Sequence, residues 1–430
     1  MGVSPGNIGQ LRWSAESALG TATGSYYSAR VAGNMPNFPP VAQLVPNHVR
    51  GHQHPLKIEK PEAITLCVEN AFSFDAHIRR AAANGGKPDL MTWLESAGWQ
   101  VQASTGATTL TGTPTVSELI QSSNVTGVGQ FVLVERSSGV FVPVLVSGLS
   151  TATITPHVRL SAAPSTGAAV HPMHTATPTT STGYNVPTDK TLSWRMNTRG
   201  KYDDAYGDLA LDMKGCALAS LSEMTIERVG SPLMVSTTWH GIPVSYSPDD
   251  IAADSFVDSS EFALVTDDME ISIQAASPTG NIALDSGSLV SLRINPGVAC
   301  IPIYGAGAGV SGGITGYRMV PTTPTIDVVA HFTGLSTWEK DWLVQLMGSN
   351  VSRAIQVLQP TRNVDRGAFA IAMPNCHLRP GSEPRIDMGQ DTIRISAGFE
   401  ADVAGIDSDA LVTETGSSPI FIGLSGEAAA

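Results

Sequence analysis

The sequence predicts a mainly β protein with two tandem β-sandwich or half-barrel domains, each carrying one short flanking helix, and a small inserted β domain. Glycine and proline are abundant, at 42 and 28 of 430 residues, and only 15% of residues are charged. Long helical patterns are nearly absent, which together with this composition is typical of a protein of short strands and many turns. The third observation is an internal repeat.

Residues 209–241 align with residues 369–401 without a gap, at a constant spacing of 160 positions. The remaining differences mostly exchange one apolar residue for another. The identical pairs are Ala210/Ala370, Met213/Met373, Cys216/Cys376, Leu218/Leu378, Ser222/Ser382, Glu223/Glu383, Ile226/Ile386 and Ser236/Ser396. Such self-similarity predicts two copies of one structural unit.

A second landmark lies upstream in each copy, where Ala76-His77-Ile78 corresponds to Ala330-His331-Phe332. A helix is predicted after each landmark. The first begins near Pro88 and ends at Gly98, and the second begins at a capping box, 336–339, and ends at Gly348. Because the stretch from the helix to the cysteine is about ninety residues longer in the first copy, that copy is predicted to carry an insertion.

These signals divide the chain into an N-terminal arm (1–62), a first domain (63–250) with its insert at about 101–190, a second domain (251–406) and a C-terminal tail (407–430). Six prolines between positions 36 and 61 predict that the arm is irregular and ordered only against something else. The tail is polar with one apolar cluster, 420–422, which predicts a docking segment. Removal of 1–62 is expected to leave a folded protein that no longer stacks on its neighbours.

A net charge of −13 argues against a surface that grips nucleic acid, because such affinity depends on cations that displace counterions. Neither a signal peptide nor a run of about twenty apolar residues is recognisable, so neither secretion through a signal peptide nor a membrane span is expected. The equivalent positions of Cys216 and Cys376 in different domains make a disulfide between them improbable, and buried thiols are predicted.

Patterns for catalysis or metal binding occur, but their context is wrong. The glycine-rich sequence around Ser311 matches both a nucleophile elbow and a dinucleotide fingerprint, yet β-like sequence broken by prolines follows it, so a loop is predicted. The two close histidine pairs, His52/His54 and His171/His174, lie in proline-rich stretches without further ligands, and exposed loop histidines are the preferred interpretation.

His77 and His331 occupy equivalent strand positions and are predicted to be structural, hydrogen-bonded residues. Glu223 and Glu383 are predicted to belong to a turn or edge shared by the two domains. The remaining acidic clusters are predicted to be solvated surface or the lining of a channel, at Asp203-Asp204, Asp208, Asp249-Asp250 and Asp267-Asp268. No catalytic, cofactor-binding or metal-binding residue is therefore predicted, and no enzyme activity is expected.

An ordered set of motifs runs along the chain. It begins in the arm with an acidic residue followed by Gly-Thr at 15–21, and continues in the first domain with Phe72-Ser73-Phe74 and with Gly215-Cys216-Ala217-Leu218 ahead of a hairpin. In the second domain it comprises Met373-Pro374-Asn375 and the closing Phe399-Glu400-Ala401. Taken in this order, the motifs resemble those of the tail tube (major tail) proteins of long-tailed bacteriophages, in a version with two tube domains in one polypeptide.

The resemblance implies a structural virion protein, made in the host cytoplasm, that assembles into stacked rings forming the tail tube through which DNA passes. It implies a trimeric ring with pseudo-sixfold symmetry, or a hexamer, and no cofactor. The implied partners are further copies of the chain, the tape measure protein and viral DNA in the lumen without tight binding, and the tail terminator and distal tail proteins. Two alternatives stay open: a distal tail or tail-completion ring protein of the same fold, and a carbohydrate-binding or hydrolytic β-sandwich of the virion.

Overall fold

The structure of the chain is a computed structural model that describes part of its residues. The described residues are 9–24, 26–37, 43–45, 62–64, 70–78, 87–103, 106–124, 126–137, 139–178, 184–198, 208–226, 231–249, 269–274, 281–284, 289–305, 314–320, 322–332, 353–361, 367–383, 385–388, 393–401 and 418–425. Within them strands predominate and a single helix is present, so the prediction of a mainly β protein is confirmed.

The first unit is formed by strands on both sides of the insert. They are β1 (Gly9–Ala18), β2 (Thr21–Ala22), β3 (Tyr27–Ser28), β4 (Gln43–Val45), β5 (Glu62–Ile64), β6 (Asn70–His77), β16 (Leu192–Thr198), β17 (Asp208–Ile226) and β18 (Met234–Asp249). The last two form a long antiparallel hairpin. The C-terminal half of β17 and the N-terminal half of β18 form one face of the unit together with β6. The N-terminal half of β17 pairs with β16, which in turn pairs with β1.

The helix α1 (Asp89–Ser96) follows β6 and packs its apolar side on the first unit, with Leu90, Met91 and Trp93 buried. Pro88 is its N-cap residue, and Gly98, at φ +92°, follows the C-cap in the left-handed region that glycine tolerates best. The sequence predicted this helix correctly, although it has about two turns rather than three. The corresponding helix predicted at 336–348 lies outside the described residues.

The described residues of the insert form nine strands. They are β7 (Gln100–Ala103), β8 (Thr108–Thr109), β9 (Leu119–Ile120), β10 (Phe131–Ser137), β11 (Val140–Ser150), β12 (Thr153–Pro156), β13 (Ala169–Pro172), β14 (His174–Thr177) and β15 (Asn185–Val186). Strands β8 to β13 pair in the order β8-β13-β10-β11-β12-β9. A bridge between Leu110 and Gln121 joins the two end strands, so this part closes into a small barrel around its own apolar core.

The second unit contains the remaining strands. They are β19 (Glu270–Gln274), β20 (Asn281–Leu284), β21 (Leu289–Asn295), β22 (Val298–Tyr304), β23 (Ile314–Met319), β24 (Thr325–Phe332), β25 (Arg353–Gln359), β26 (Phe369–Leu378), β27 (Arg385–Met388), β28 (Ile393–Ala401) and β29 (Phe421–Leu424). The barrel of the insert packs on this unit. Phe131, Leu133 and Phe141 of the barrel share a buried cluster with Ala370 of β26 and Phe421 of β29.

The core of the first unit is aromatic. Trp194 crosses Trp239 edge to face with ring centroids 4.8 Å apart, and Phe72, Phe74 and Trp93 pack around them. Each of these side chains is almost completely buried. Such rings bury large apolar areas and add favourable edge-to-face contacts, so they anchor the two faces of the unit on each other.

The predicted irregular arm is wrong for 9–18. Strand β1 pairs with β16 along its length, from Gly9 opposite Thr198 to Ala15 opposite Leu192. Leu11 and Trp13 alternate into the core, at 1% and 5% exposure. The prolines that suggested irregular structure all lie after position 35, and the apolar alternation before them has the period of a strand.

The sequence also predicts an acidic linker between the two domains from Ser247 to Asp258, but strand β18 continues to Asp249. Within the tail, β29 pairs with β26 on one side and with β14 of the insert on the other. The apolar cluster at 420–422 thus docks inside this chain, where Ile420, Phe421 and Ile422 are buried. In the described part of the chain, no helix has the length and apolarity to cross a membrane.

Candidate functional site

One antiparallel sheet runs through both units, and we call it the arc. Its members, in spatial order, are the segment at Val31, then β6, β18, β17, β21, β24, β28 and β27. The first member is fixed by two backbone hydrogen bonds, from Ala32 N–H to the Asp75 carbonyl (2.7 Å) and from His77 N–H to the Arg30 carbonyl (3.0 Å). The first four members belong to the first unit and the last four to the second.

The two halves of the arc pair in the same register. Four cross-strand pairs of the first unit each have a counterpart whose two residues occupy the corresponding strands of the second. These pairs are Val31–Ala76 and Leu289–Ala330, Ala76–Val235 and Ala330–Ile395, Phe72–Trp239 and Ile326–Phe399, and Leu218–Trp239 and Leu378–Phe399.

The correspondence extends beyond the arc, down to an irregularity. Between β16 and β17 the register shifts after Leu192–Cys216 and resumes at Trp194–Met213. Between β25 and β26 it shifts after Arg353–Cys376 and resumes at Ile355–Met373. Strand β1 then pairs with β16 as β19 pairs with β25, since Leu11 faces Met196 and Ile271 faces Val357.

The small hairpin β4–β5 also has a counterpart, β22–β23. Gln43 faces Ile64 in the first, and Ile301 faces Arg318 in the second. Twelve positions separate Gln43 from Val31 and also Ile301 from Leu289, and twelve separate Ile64 from Ala76 and also Arg318 from Ala330. The shared pattern of strands therefore includes β1, the segment at Val31, β4 and β5, which lie in a region that the sequence alignment did not reach.

The two halves of the arc meet where β17 pairs with β21. Met224 faces Ile294 and Ile226 faces Leu292, and all four side chains have no exposed surface. Pairing continues from Ser220 and Leu221 onto β22. At the surface Glu223 forms an ion pair with Arg293 at 3.2 Å. This junction is a well-packed contact that joins the end of one half to the beginning of the next.

The far end of the arc is β27, whose position corresponds to that part of β17 which forms the junction. Met224 faces Val235 in the first unit, and Ile386 faces Ile395 in the second. In contrast to Met224, Ile386 is 43% exposed. On its outer side β27 pairs with no strand of the described residues.

The interpretation of Glu223 and Glu383 as one shared feature is wrong. Counted from the common partner strand, Arg385 rather than Glu383 occupies the position of Glu223, because Glu223 faces Ser236 and Arg385 faces Ser396. Two additional residues in the turn at Pro380-Gly381 displace the sequence alignment. Glu383 lies in that turn, where the Gly381 N–H donates to its carboxylate at 3.0 Å and lowers its pKa.

The histidine pair His171/His174 lies in strands, not in an exposed loop as predicted. His171 packs edge to face on Phe141, with ring centroids 5.2 Å apart, and burial lowers its pKa. Burial and the charge of Lys87 lower the pKa of His174. No group of three potential metal ligands occurs among the described residues. His52 and His54 lie outside them.

The other residues considered in the sequence are two strand histidines, the acidic clusters, Ser311 and the cysteines. His77 faces Met234 and His331 faces Arg394, so the two occupy equivalent positions, but the Nδ1 of His77 is buried without a hydrogen-bond partner in the described structure. Asp208 faces Asp249 across β17 and β18. Ser311, Asp203-Asp204, Asp250 and Asp267-Asp268 lie outside the described residues. Cys216, Cys300 and Cys376 are buried thiols, which confirms the prediction for Cys216 and Cys376.

The carboxylate of Glu16 is buried, and the sequence did not identify it as a structural site. Glu16 lies in the segment 15–21, which is part of the resemblance. Glu16 is 2% exposed and accepts four hydrogen bonds. The donors and their distances are the Gly20 N–H (2.7 Å), the Thr191 hydroxyl (2.6 Å), the Ser193 hydroxyl (2.6 Å) and the Gly215 N–H (2.9 Å). The carboxylate thus ties β1 to β16 and β17, and its hydrogen bonds are all satisfied.

A scan against protein-family models gives no match, and a search of curated proteins gives none either. The geometry of the arc is consequently the main guide to function.

Proposed function

We propose that this chain is a structural protein that joins head to tail with further copies of itself into closed rings, which stack to form the tail tube of a long-tailed bacteriophage. The observation that carries the proposal is the junction of β17 and β21. It shows how the last strand of one four-member set joins the first strand of the next, while an equivalent last strand, β27, is left at the end of the arc.

A contact between two different surfaces of the same unit is heterologous, and its repetition forms either a ring or an open filament. The chain contains one such contact internally. A three-chain ring would repeat it six times around a pseudo-sixfold axis, three times within chains and three times between them. Closure would pair the strand edges, which otherwise promote uncontrolled association.

The same pattern supports a tandem duplication as the origin of the two units. The recurrence of the register, including the shift beside Cys216 and Cys376, is difficult to obtain by independent routes. In this proposal the pair of units persists because together they build a wall, and no reaction is required of either.

The charge of the chain is compatible with a conduit for DNA. A net charge of −13 repels phosphate and would allow DNA to move along the lumen without adhering to it. The tape measure protein would occupy the lumen before DNA, and the tail terminator and distal tail proteins would meet the ends of the tube. The protein would accordingly be found in the virion tail.

Electron microscopy of the purified protein, with its mass measured in solution, tests the proposal. Stacked rings or tubes are expected. Single rings that never stack would instead indicate a distal tail or tail-completion protein. A monomer at all concentrations would overturn the proposal, and glycan binding by that monomer would favour a carbohydrate-binding virion protein.

A further inference from the structure

We propose that the outer edge of β27 binds the segment at Val31 of a second copy of this chain, so that the arc continues from one chain into the next. This inference rests on the proposed function and specifies the surface that closes the ring. Its template is the β17–β21 junction inside the chain.

The outer edge of β27 is equivalent to the edge of β17 that forms the junction. Residues 223–225 of β17 and 385–387 of β27 face corresponding residues of β18 and β28. Both stretches end a four-member half of the arc. In the first unit this edge is covered by β21, and in the second it is not covered by any described strand.

The outer edge of the segment at Val31 is equivalent to the edge of β21 that pairs with β17. Strand β21 pairs with β24 as the segment at Val31 pairs with β6, since Leu289 faces Ala330 and Val31 faces Ala76. On its other side β21 receives β17, whereas the segment at Val31 pairs with no further strand of the described residues. The arc therefore ends in two edges that match the two edges already joined within it.

An apolar side chain is exposed on β27. Ile386 is 43% exposed, and the equivalent Met224 becomes fully buried through its contact with β21. An exposed isoleucine on an unpaired edge favours pairing with another strand. The hairpin β4–β5 follows the segment at Val31 and would lie beside the turn that precedes β27, because β22 lies beside β17 at the corresponding positions, Ser220 and Leu221.

The test compares Ile386→Lys with Val244→Lys. Both residues are 43% exposed, but Val244 lies on the half of β18 that is not part of the arc. A lysine on β27 is expected to abolish rings while the monomer keeps the circular dichroism spectrum and melting temperature of the wild type, because a charge at this edge opposes strand addition. Val244→Lys is expected to retain rings in mass measurements.

A second measurement detects the contact directly. Asn34 is exposed and lies three residues beyond Val31, so Asn34→Cys and Ile386→Cys can be combined in one chain. A short bis-maleimide is expected to join these cysteines between chains and to give a covalent ladder. Each single variant, which retains all native cysteines, should give no ladder.

The outcomes separate this inference from the proposed function. Absence of rings in the wild type would refute the proposed function itself. Rings in the wild type that persist in Ile386→Lys, together with no ladder in the double variant, would refute only the assignment of β27. Loss of rings in both lysine variants to the same extent would also refute that assignment, because the effect would not be specific to the arc.

Discussion

The carboxylate of Glu16 accepts a hydrogen bond from the backbone N–H of Gly215 at 2.9 Å, across 199 positions of sequence. Gly215 has φ +57° and lies at the irregularity between β16 and β17. Three more donors complete the site, so the carboxylate links the first strand of the chain to the centre of the first unit.

The first prediction concerns this site. In Glu16→Gln one oxygen is replaced by an amide NH2 group that faces donors, so at least one buried hydrogen bond is lost. A decrease of about 1–3 kcal/mol in the free energy of unfolding is expected, measured by urea titration. Glu118→Gln, at an exposed position of the insert, is the control and should change stability little. Equal stability of both variants would contradict the structural role of Glu16.

The second prediction concerns the packing of Gly241 on Cys216. A Cβ atom added to Gly241 would lie 2.2 Å from the Cys216 Sγ, too close for any contact. Gly241→Ala is therefore expected to lower the free energy of unfolding by about 1–3 kcal/mol, as overpacking does in other cores. Gly316→Ala, on β23 with open space around it, is the matched control.

A double variant checks the cause of that loss. Cys216→Ala removes the Sγ, so Gly241→Ala should cost less in its presence, and a double-mutant cycle should give a coupling energy of about 0.5–3 kcal/mol. Additive effects of the two substitutions would show that the clash is not the reason.

The third prediction is a dependence of stability on pH. His157 follows β12 of the barrel, its Nε2 is buried without a partner, and burial lowers its pKa below the ordinary value of 6.5. Because the unfolded chain binds the proton more readily, this contribution to stability is present above pH 6.5 and decreases as the pH falls towards the lower folded value. The loss cannot exceed about 1.4 kcal/mol for each pH unit.

Thermal unfolding at a series of pH values measures this effect. His157→Gln should show a shallower loss of melting temperature in mild acid than the wild type. His377→Gln, in the second unit, serves as the control. The same slope in the wild type and in His157→Gln would contradict the prediction.

The fourth prediction concerns the N-terminal region. Deletion of 1–62 removes β1, including the buried Leu11 and Trp13, and leaves the edge of β16 unpaired. The shortened chain is expected to lose its cooperative unfolding transition, since removal of a single buried tryptophan alone costs about 3–5 kcal/mol. This result differs from the expectation drawn from the sequence, in which the same deletion leaves a folded protein. A cooperative transition near the wild-type temperature would support that earlier expectation.

The repeat was recognisable in sequence where buried residues of similar size recur at a constant spacing. Met213, Cys216 and Leu218 pair with the same strand positions in their unit as Met373, Cys376 and Leu378 do in theirs. Beyond this segment and the upstream landmark, the sequences of the two units show no recognisable similarity, and only the register of the strands reveals their correspondence. Ser222/Ser382 and Glu223/Glu383 are identical residues at positions that are not structurally equivalent. The turn before β27 has two additional residues, and an alignment without gaps does not detect them.

Strand β1 has a clear signal in the sequence, whereas the pairing of distant strands has none. Leu11, Trp13 and Ala15 alternate with polar residues, which is the pattern of a half-buried strand. By contrast, the pairing of β17 with β21 and of β29 with β14 depends on contacts between distant parts of the chain. No local pattern specifies such contacts, and the candidate assembly edges could not be located without them.

The cores of the two units differ in a way that bears on folding. Where the first unit has Trp194, Trp239, Phe72 and Phe74, the equivalent positions of the second hold Ile355, Phe399, Ile326 and Val328. Neighbouring units of the same topology are prone to exchange strands during folding. An indole does not fit a cavity shaped for isoleucine, and isoleucine leaves a void where an indole belongs. The different interiors of the two units are therefore expected to disfavour an exchange of strands between them during folding.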